Sequence, residues 1–188
     1  SKLIVPKNGS SDIHHELYVD DPILWSTTFP SMYTASVSIS KNGVVLDLLE
    51  IPFGIRSISF DVDRGFELNG EPLKINGGCI HHDNGALGAA AHDKAEYRKV
   101  KLMKEAGFNA VRTSHNPPSE AFLNACDELG LLVVDESFDG WRAQKNKFDY
   151  AMLFDDWWEK DVTSMVVRDR NHPSIIIWST GNEIMEKK

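Results

Sequence analysis

Towards its C-terminal end the chain reads Asp169-Arg170-Asn171-His172-Pro173-Ser174-Ile175-Ile176-Ile177-Trp178-Ser179-Thr180-Gly181-Asn182-Glu183. A helix end, a proline break and a buried apolar strand lead to an Asn-Glu pair at the strand's far tip. A carboxyl group there, near Trp178 and backed by an apolar strand, would have its neutral form favoured by desolvation. That suits a general acid. Asn182 beside it can both donate and accept hydrogen bonds to a substrate hydroxyl. The competing reading is a solvated Glu183 on a loop, with the Asn182-Glu183 pair capping a helix.

Four more groups could act beside this pair. His81 and His82 are neighbours on an extended segment, so only one of them can point towards a shared site. His115 would reach the same place from a second strand. Neutral imidazoles there could bind substrate, or the His, Asp and Glu side chains could hold a metal. The spacing gives no support to a metal, because neither a strand pair of histidines separated by one residue nor an i, i+4 helical pair occurs. A third reading leaves the histidines as satisfied loop residues. Arg112 lies inside a strand between Val111 and Thr113 and needs a carboxylate partner. Asp135, Glu136 or a carboxylate elsewhere in the complete domain would each serve. Among the aromatic residues, Trp141 in a polar loop is a candidate sugar platform. Trp158 sits in a helical stripe and reads as core.

The elements that would position these groups fall into two blocks. Tyr33-Thr34-Ala35-Ser36-Val37-Ser38-Ile39-Ser40 alternates apolar and polar residues, as a half-buried strand does. Asn42-Gly43 turns it into Val44-Val45-Leu46. Ile55 to Val62 reads as another strand, and Asn69-Gly70 as another hairpin turn. Residues 1–62 are therefore expected to be part of an antiparallel β-sandwich, with too few strands for the about seven of an immunoglobulin-like domain. The second block is expected to span residues 63–188, and from about residue 73 the rhythm becomes strand, helix, strand, helix. Strands are expected at Leu73–Ile80, Ala110–Thr113, Leu131–Asp135 and Ile175–Trp178. Asp93-Lys94-Ala95-Glu96 has the form of a capping box, and Pro117-Pro118-Ser119 opens a second helix ending at Gly130. A third helix starts near Asp155.

Strands apolar on both faces, alternating with amphipathic helices, specify a parallel sheet covered by helices. No G-x-G-x-x-G turn follows the first strand, which argues against a dinucleotide fold. A polar cluster follows every strand instead, the pattern of a (β/α)8 barrel rim. A full barrel needs about 250 residues, so residues 63–188 hold only its first four βα units. The fold class is α/β: a partial (β/α)8 TIM barrel preceded by a partial antiparallel β-sandwich.

The bulk properties narrow the partners. With 41% hydrophobic residues, five Trp and nine Phe, there is material for a core. A net charge of −8 argues against nucleic acid or an anionic membrane as partner. No apolar run approaches a transmembrane span, and the first residues do not read as a signal peptide. Cys79 and Cys126 have no metal spacing and are expected to be free, mostly buried thiols. Glu186-Lys187-Lys188 reads as the start of a solvated helix. An open half-barrel edge is an association hazard, so a self-associating, non-catalytic half-barrel and a homo-oligomer both stay among the expectations.

Several segments together resemble glycoside hydrolase family 2, the group of β-galactosidases, β-glucuronidases and β-mannosidases. They are Phe53-Gly54-Ile55-Arg56, Leu68-Asn69-Gly70-Glu71-Pro72, Gly77-Gly78-Cys79-Ile80-His81-His82-Asp83, Asn109 through Pro118, Asp135-Glu136 and Asp169 through Glu183. The resemblance spans about residues 20–188. His81 through Gly88 and Asp135-Glu136-Ser137-Phe138-Asp139-Gly140-Trp141 look most like the β-galactosidase branch. The resemblance implies retaining hydrolysis of terminal β-galactosides, with a β-linked oligosaccharide as substrate. Glu183 matches the catalytic acid/base and Asn182 the contact to the sugar 2-hydroxyl. His81 and His115 match substrate contacts, and Arg112 matches an arginine near the nucleophile. The family's nucleophile is a Glu on a later strand, so this chain alone is expected to be inactive. No cofactor is expected. Some β-galactosidases hold magnesium through a Glu and a His after the third strand, where this sequence has Gly140 and Arg142. β-Glucuronidase or β-mannosidase activity is the alternative within the family. A metal-dependent barrel hydrolase built on His81, His115 and Glu183 is the alternative outside it.

Overall fold

A computed structural model describes residues 3–185. The segment Glu186-Lys187-Lys188, expected to begin a helix, lies outside the described residues.

Strand alternation and the first Asn-Gly pair produce a long hairpin. β1 (Tyr33–Lys41) pairs antiparallel with β2 (Val44–Phe53). Asn42 and Gly43 both take positive φ, 53° and 82°. This is the backbone that a two-residue turn of matching twist demands, and Asn-Gly adopts it with little strain. The second Asn-Gly pair repeats the device at 57° and 80°. It joins β4 (Gly65–Leu68) to β5 (Glu71–Pro72), and β3 (Ile58–Asp61) completes a three-stranded sheet in the order β3-β4-β5.

The strand expected over 55–62 is shorter than its alternation suggests, because Ile55 and Arg56 are used for docking. Arg56 Nε donates to Pro173 O at 2.8 Å, and the Ile55 carbonyl accepts from Trp25 N at 2.8 Å. The Trp25 side chain is buried, and its Nε1 donates to Asp127 O at 2.8 Å. It packs with Phe66, Leu68, Ala110, Leu132 and Ile176, plugging the N-terminal end of the second block.

That block is a four-stranded parallel sheet in the order β6-β7-β8-β9. β6 is Gly77–His81, β7 Ala110–Ser114, β8 Leu132–Glu136 and β9 Ile175–Ser179. Strand order follows chain order without a reversal, as in a barrel and unlike the switch point of a doubly wound sheet. The first of these strands is shorter than the expected Leu73–Ile80, since residues 73–76 are not extended in a ladder. Gly77 is needed where it is: a Cβ there would lie 2.6 Å from the Ala110 carbonyl oxygen.

Three helices connect the strands: α1 (Asp93–Glu105), α2 (Glu120–Leu129) and α3 (Phe154–Asp169). α2 begins and ends as its sequence implies. Ser119 accepts a hydrogen bond from Phe122 N at 3.1 Å, and Gly130 turns left-handed. Its Phe122, Leu123 and Cys126 pack on Val111 and Val133 to form the outer core. α1 corrects the expectation of a capping box. His92 is its N-cap, without a side-chain cap bond, and Glu96 turns inwards. There Glu96 accepts from Asn84 Nδ2 at 2.7 Å and from Lys99 at 3.3 Å. Trp158 corrects another expectation. It is 43% exposed because the packing face of α3 runs instead through Phe154, Met165 and Asp169. Of the two free thiols Cys126 is buried, but Cys79 is exposed.

Candidate active site

Parallel strands deliver every odd or even side chain of their C-terminal ends to one rim. On β8 that alternation separates two adjacent acids. Glu136 faces the rim, fully buried by its neighbours, and Asp135 faces the helices. This settles the partner of Arg112. Its Nε donates to Glu136 Oε2 at 2.7 Å. His115 Nδ1 lies 2.6 Å from Glu136 Oε1, and Ser179 Oγ donates to Glu136 Oε2 at 2.6 Å. One carboxylate therefore ties β7, the loop after it, β8 and β9 together. Burial opposes ionisation of Glu136 most strongly, but the hydrogen bonds from Ser179, His115 and Arg112 outweigh it and hold the carboxyl below its usual range. The same contacts raise Arg112 further, chiefly through its bond to Glu136.

Arg112 also reaches the β9 tip, where its Nη2 donates to Asn182 Oδ1 at 3.0 Å. The Asn182 amide nitrogen donates to Asp139 Oδ1 at 3.1 Å, so both ends of the amide are fixed. The backbone N–H of Asn182 donates to Phe138 O at 2.9 Å. His81 and His115 meet edge to face, with ring centroids 5.2 Å apart. The structure thus brings His81, Arg112, His115 and Asn182 into one connected group around Glu136.

Glu183 stands at the rim beside this group. Among the described residues its side chain is 72% exposed and lies 3.1 Å from the Lys145 ammonium. It follows Gly181 and Asn182 on an irregular turn and has φ of 46°, so the strand does not carry it into the apolar interior. Lys145 also donates to Asp139 O at 2.7 Å and Oδ1 at 2.9 Å. Its bond to Asp139 is the main reason that the lysine is raised, and the same bond leads in lowering Asp139. Lys145, Asp139 and Ser179 are members to which the sequence assigned no role, and Glu136, one of the candidate partners of Arg112, gains the role of organiser.

The loop after β8 also tests the magnesium site of some family members. Gly140 offers no donor, and Arg142 Nε is directed to Asp155 Oδ1 at 2.6 Å. The Lys145 ammonium already lies 3.1 Å from Glu183 Oε2. These residues do not fit a divalent ion. Among the described residues no three His, Cys, Asp or Glu side chains converge in a metal-holding group. Trp141 donates through Nε1 to Thr180 O at 2.8 Å and stacks on Phe154 at 5.8 Å. Phe138, Trp141, Phe154 and Trp158 line an apolar depression of about 320 Å³ beside the β9 tip.

Sequentially ordered parallel strands with a polar rim at their C-terminal ends define an arc of a (β/α)8 barrel. Residues 62–188 match the family model described as Glycosyl hydrolases family 2, TIM barrel domain, and residues 1–56 match Glycosyl hydrolases family 2. The chain belongs to glycoside hydrolase family 2. A β-galactosidase of Bacteroides ovatus is 45% identical over 172 residues, covering 92% of this chain and 20% of that protein. The crystal structure of a family 2 member from Bacteroides cellulosilyticus superposes with a TM-score of 0.85 at 56% identity, covering 88% of this chain and 21% of that one. A β-glucuronidase of Parabacteroides merdae superposes with a TM-score of 0.76 at 29% identity, covering 88% and 20%. The chain spans about a fifth of the length of these relatives.

Proposed function

We propose that this rim is the acid/base half of a retaining β-glycosidase site acting on terminal β-galactosides. The observation that carries the reading is the Arg112–Asn182–Asp139 chain of hydrogen bonds, which fixes the residue before Glu183 between two charged groups. An amide held at both ends is a preorganised contact for a sugar hydroxyl. Glu183, next in sequence, lies at the same rim beside this amide. In the retaining reaction two carboxyl groups about 5–5.5 Å apart flank the bond. Glu183 protonates the departing oxygen while the second carboxylate, from a later strand, attacks the anomeric carbon. Glu183 then takes a proton from the water that releases the sugar. His81 and His115 contact the sugar, and Arg112 places positive charge near the nucleophile. The similarity to a β-galactosidase favours galactosides, and the superposition on a β-glucuronidase keeps β-glucuronides as the second reading.

The test uses the full-length protein and its Glu183→Ala variant. The variant is expected to lose about 10²–10⁴-fold in kcat on a phenyl β-glycoside, the range that general acid catalysis supplies. Azide should restore turnover of a dinitrophenyl glycoside and give the β-glycosyl azide. A variant with undiminished activity, or no azide adduct, would remove Glu183 from the acid/base role. Comparing phenyl β-galactoside, β-glucuronide and β-mannoside identifies the sugar. The 188-residue chain by itself is proposed to be inactive, and turnover that disappears with Glu183→Gln would contradict that.

A further inference from the structure

The misfit between this rim and a divalent cation leads to an inference about Lys145, which rests on Glu183 being the acid/base. We infer that Lys145 is the positioning residue for Glu183: its fixed ammonium holds the catalytic carboxylate in place and stabilises the charge left on it when its proton is transferred.

Four observations support this. First, Lys145 is anchored before it meets Glu183. Asp149 clamps the backbone around it, accepting from Lys145 N at 2.6 Å and from Asn146 N at 2.9 Å on one oxygen, and from Ala151 N at 3.1 Å on the other. Second, the ammonium is held by Asp139 through both its carbonyl and its carboxylate. A side chain that is only 18% exposed and bonded twice to one loop residue is not a wandering surface lysine. Third, the ammonium also meets the β9 tip, lying 3.1 Å from Glu183 Oε2 and donating at 3.5 Å to the Asn182 carbonyl. Fourth, Asp139 also accepts from Asn182, so the residue that anchors Lys145 also anchors the amide beside the acid/base. The loop after β8 therefore sets the position of both residues at the β9 tip.

The role is balanced in protons. In the first step the later-strand carboxylate bonds to the anomeric carbon as the glycosidic C–O bond breaks, the departing oxygen takes the proton of Glu183, and a carboxylate remains facing Lys145. In the second step water gives a proton to that carboxylate as its oxygen bonds to the anomeric carbon and the glycosyl–enzyme bond breaks, freeing the nucleophile. Lys145 keeps its charge throughout and touches neither substrate nor leaving group.

The experiment compares leaving groups in the full-length protein, using the glycone it hydrolyses best. Dinitrophenolate departs without protonation, whereas a methyl or phenyl aglycone needs the proton. Lys145→Met is expected to lower kcat/KM on the phenyl or methyl glycoside by ~10–100-fold, part of the ~10²–10⁴-fold from acid catalysis. On the dinitrophenyl glycoside its first, bond-breaking step should change by less than about threefold. Lys145→Arg should recover part of the loss, and Lys145→Gln repeats the test if the methionine variant does not fold. Equal losses on both leaving groups would make Lys145 a structural residue and overturn the inference. So would a change confined to KM on uronides, which would make it a substrate contact. EDTA treatment of the wild-type protein should leave the leaving-group profile unchanged. A profile that EDTA converts to that of Lys145→Met would assign the charge to a cation instead. Failure of the acid/base reading is seen separately, as an absent azide adduct with Glu183→Ala.

Discussion

Asp135 gives the sharpest physical prediction, because its position sets a pH dependence that one substitution should erase. It is fully buried on the helix side of β8, and neither carboxyl oxygen has a hydrogen-bond partner within normal geometry. Burial first, and then the neighbouring Asp169 charge, push its carboxyl from the ordinary 3.8 up to about 7, partly opposed by Arg168 and His172. The Asp169 carboxylate is itself held by Arg168 at 2.5 and 2.7 Å, and His172 Nδ1 lies 2.6 Å from Asp127, so neither side chain hydrogen-bonds Asp135. The folded chain binds this proton more tightly than the unfolded chain. The resulting stabilisation is fully present below pH ~4 and is lost as pH rises to about 7. At ~1.4 kcal/mol for each factor of ten in proton affinity, the loss between pH 5 and pH 8 is on the order of 2–3 kcal/mol. Asp135→Asn keeps the shape and removes the titration. Hydrogen exchange of peptides covering β8 and the end of α3, in the full-length protein, reads the local opening free energy at both pH values. The wild type should lose about that amount between pH 5 and pH 8, and the variant less than ~0.5 kcal/mol. If the two proteins showed the same pH slope, Asp135 would not carry the proton and the reasoning would fail.

Three further outcomes follow from the same contacts. Glu136→Gln removes the charge shared by Arg112, His115 and Ser179, and should cost about 1–3 kcal/mol of transition-state stabilisation, read as kcat/KM; wild-type kinetics would refute the organising role. Gly130→Ala places a Cβ 2.6 Å from the Thr27 carbonyl at φ of 71°, so it should destabilise by more than ~1 kcal/mol in denaturant titration, and a neutral result would contradict the close approach. Ser119→Ala removes the cap of α2 and should cost ~1 kcal/mol, with an unchanged exchange rate at Phe122 N–H counting against the cap.

Residues that the sequence made legible share one property: their signals are local. Asn42-Gly43 and Asn69-Gly70 turn because that dipeptide tolerates positive φ. Ser119 and Gly130 bound α2 through bonds within a single turn of chain. Ile175-Ile176-Ile177 is a strand next to any other strand. The candidate cluster at the rim was legible for a related reason, since residues just past the C-terminal ends of parallel strands must converge. Asp135 and Glu136 show where that reach ends. Adjacent acids always face opposite ways on a strand, but the phase is set by pairing with β7 and by the irregularity between β8 and β9. Only the assembled sheet therefore decided that Glu136 binds Arg112 while Asp135 is buried on the helix side near Asp169. The same holds for Glu96, drawn from a cap into a contact with Asn84, and for Trp158, left open beside Phe154. Glu183 was named from its place in the chain. That its carboxylate meets Lys145 depends on the loop after β8 and the turn after β9 meeting in space, which no local pattern encodes.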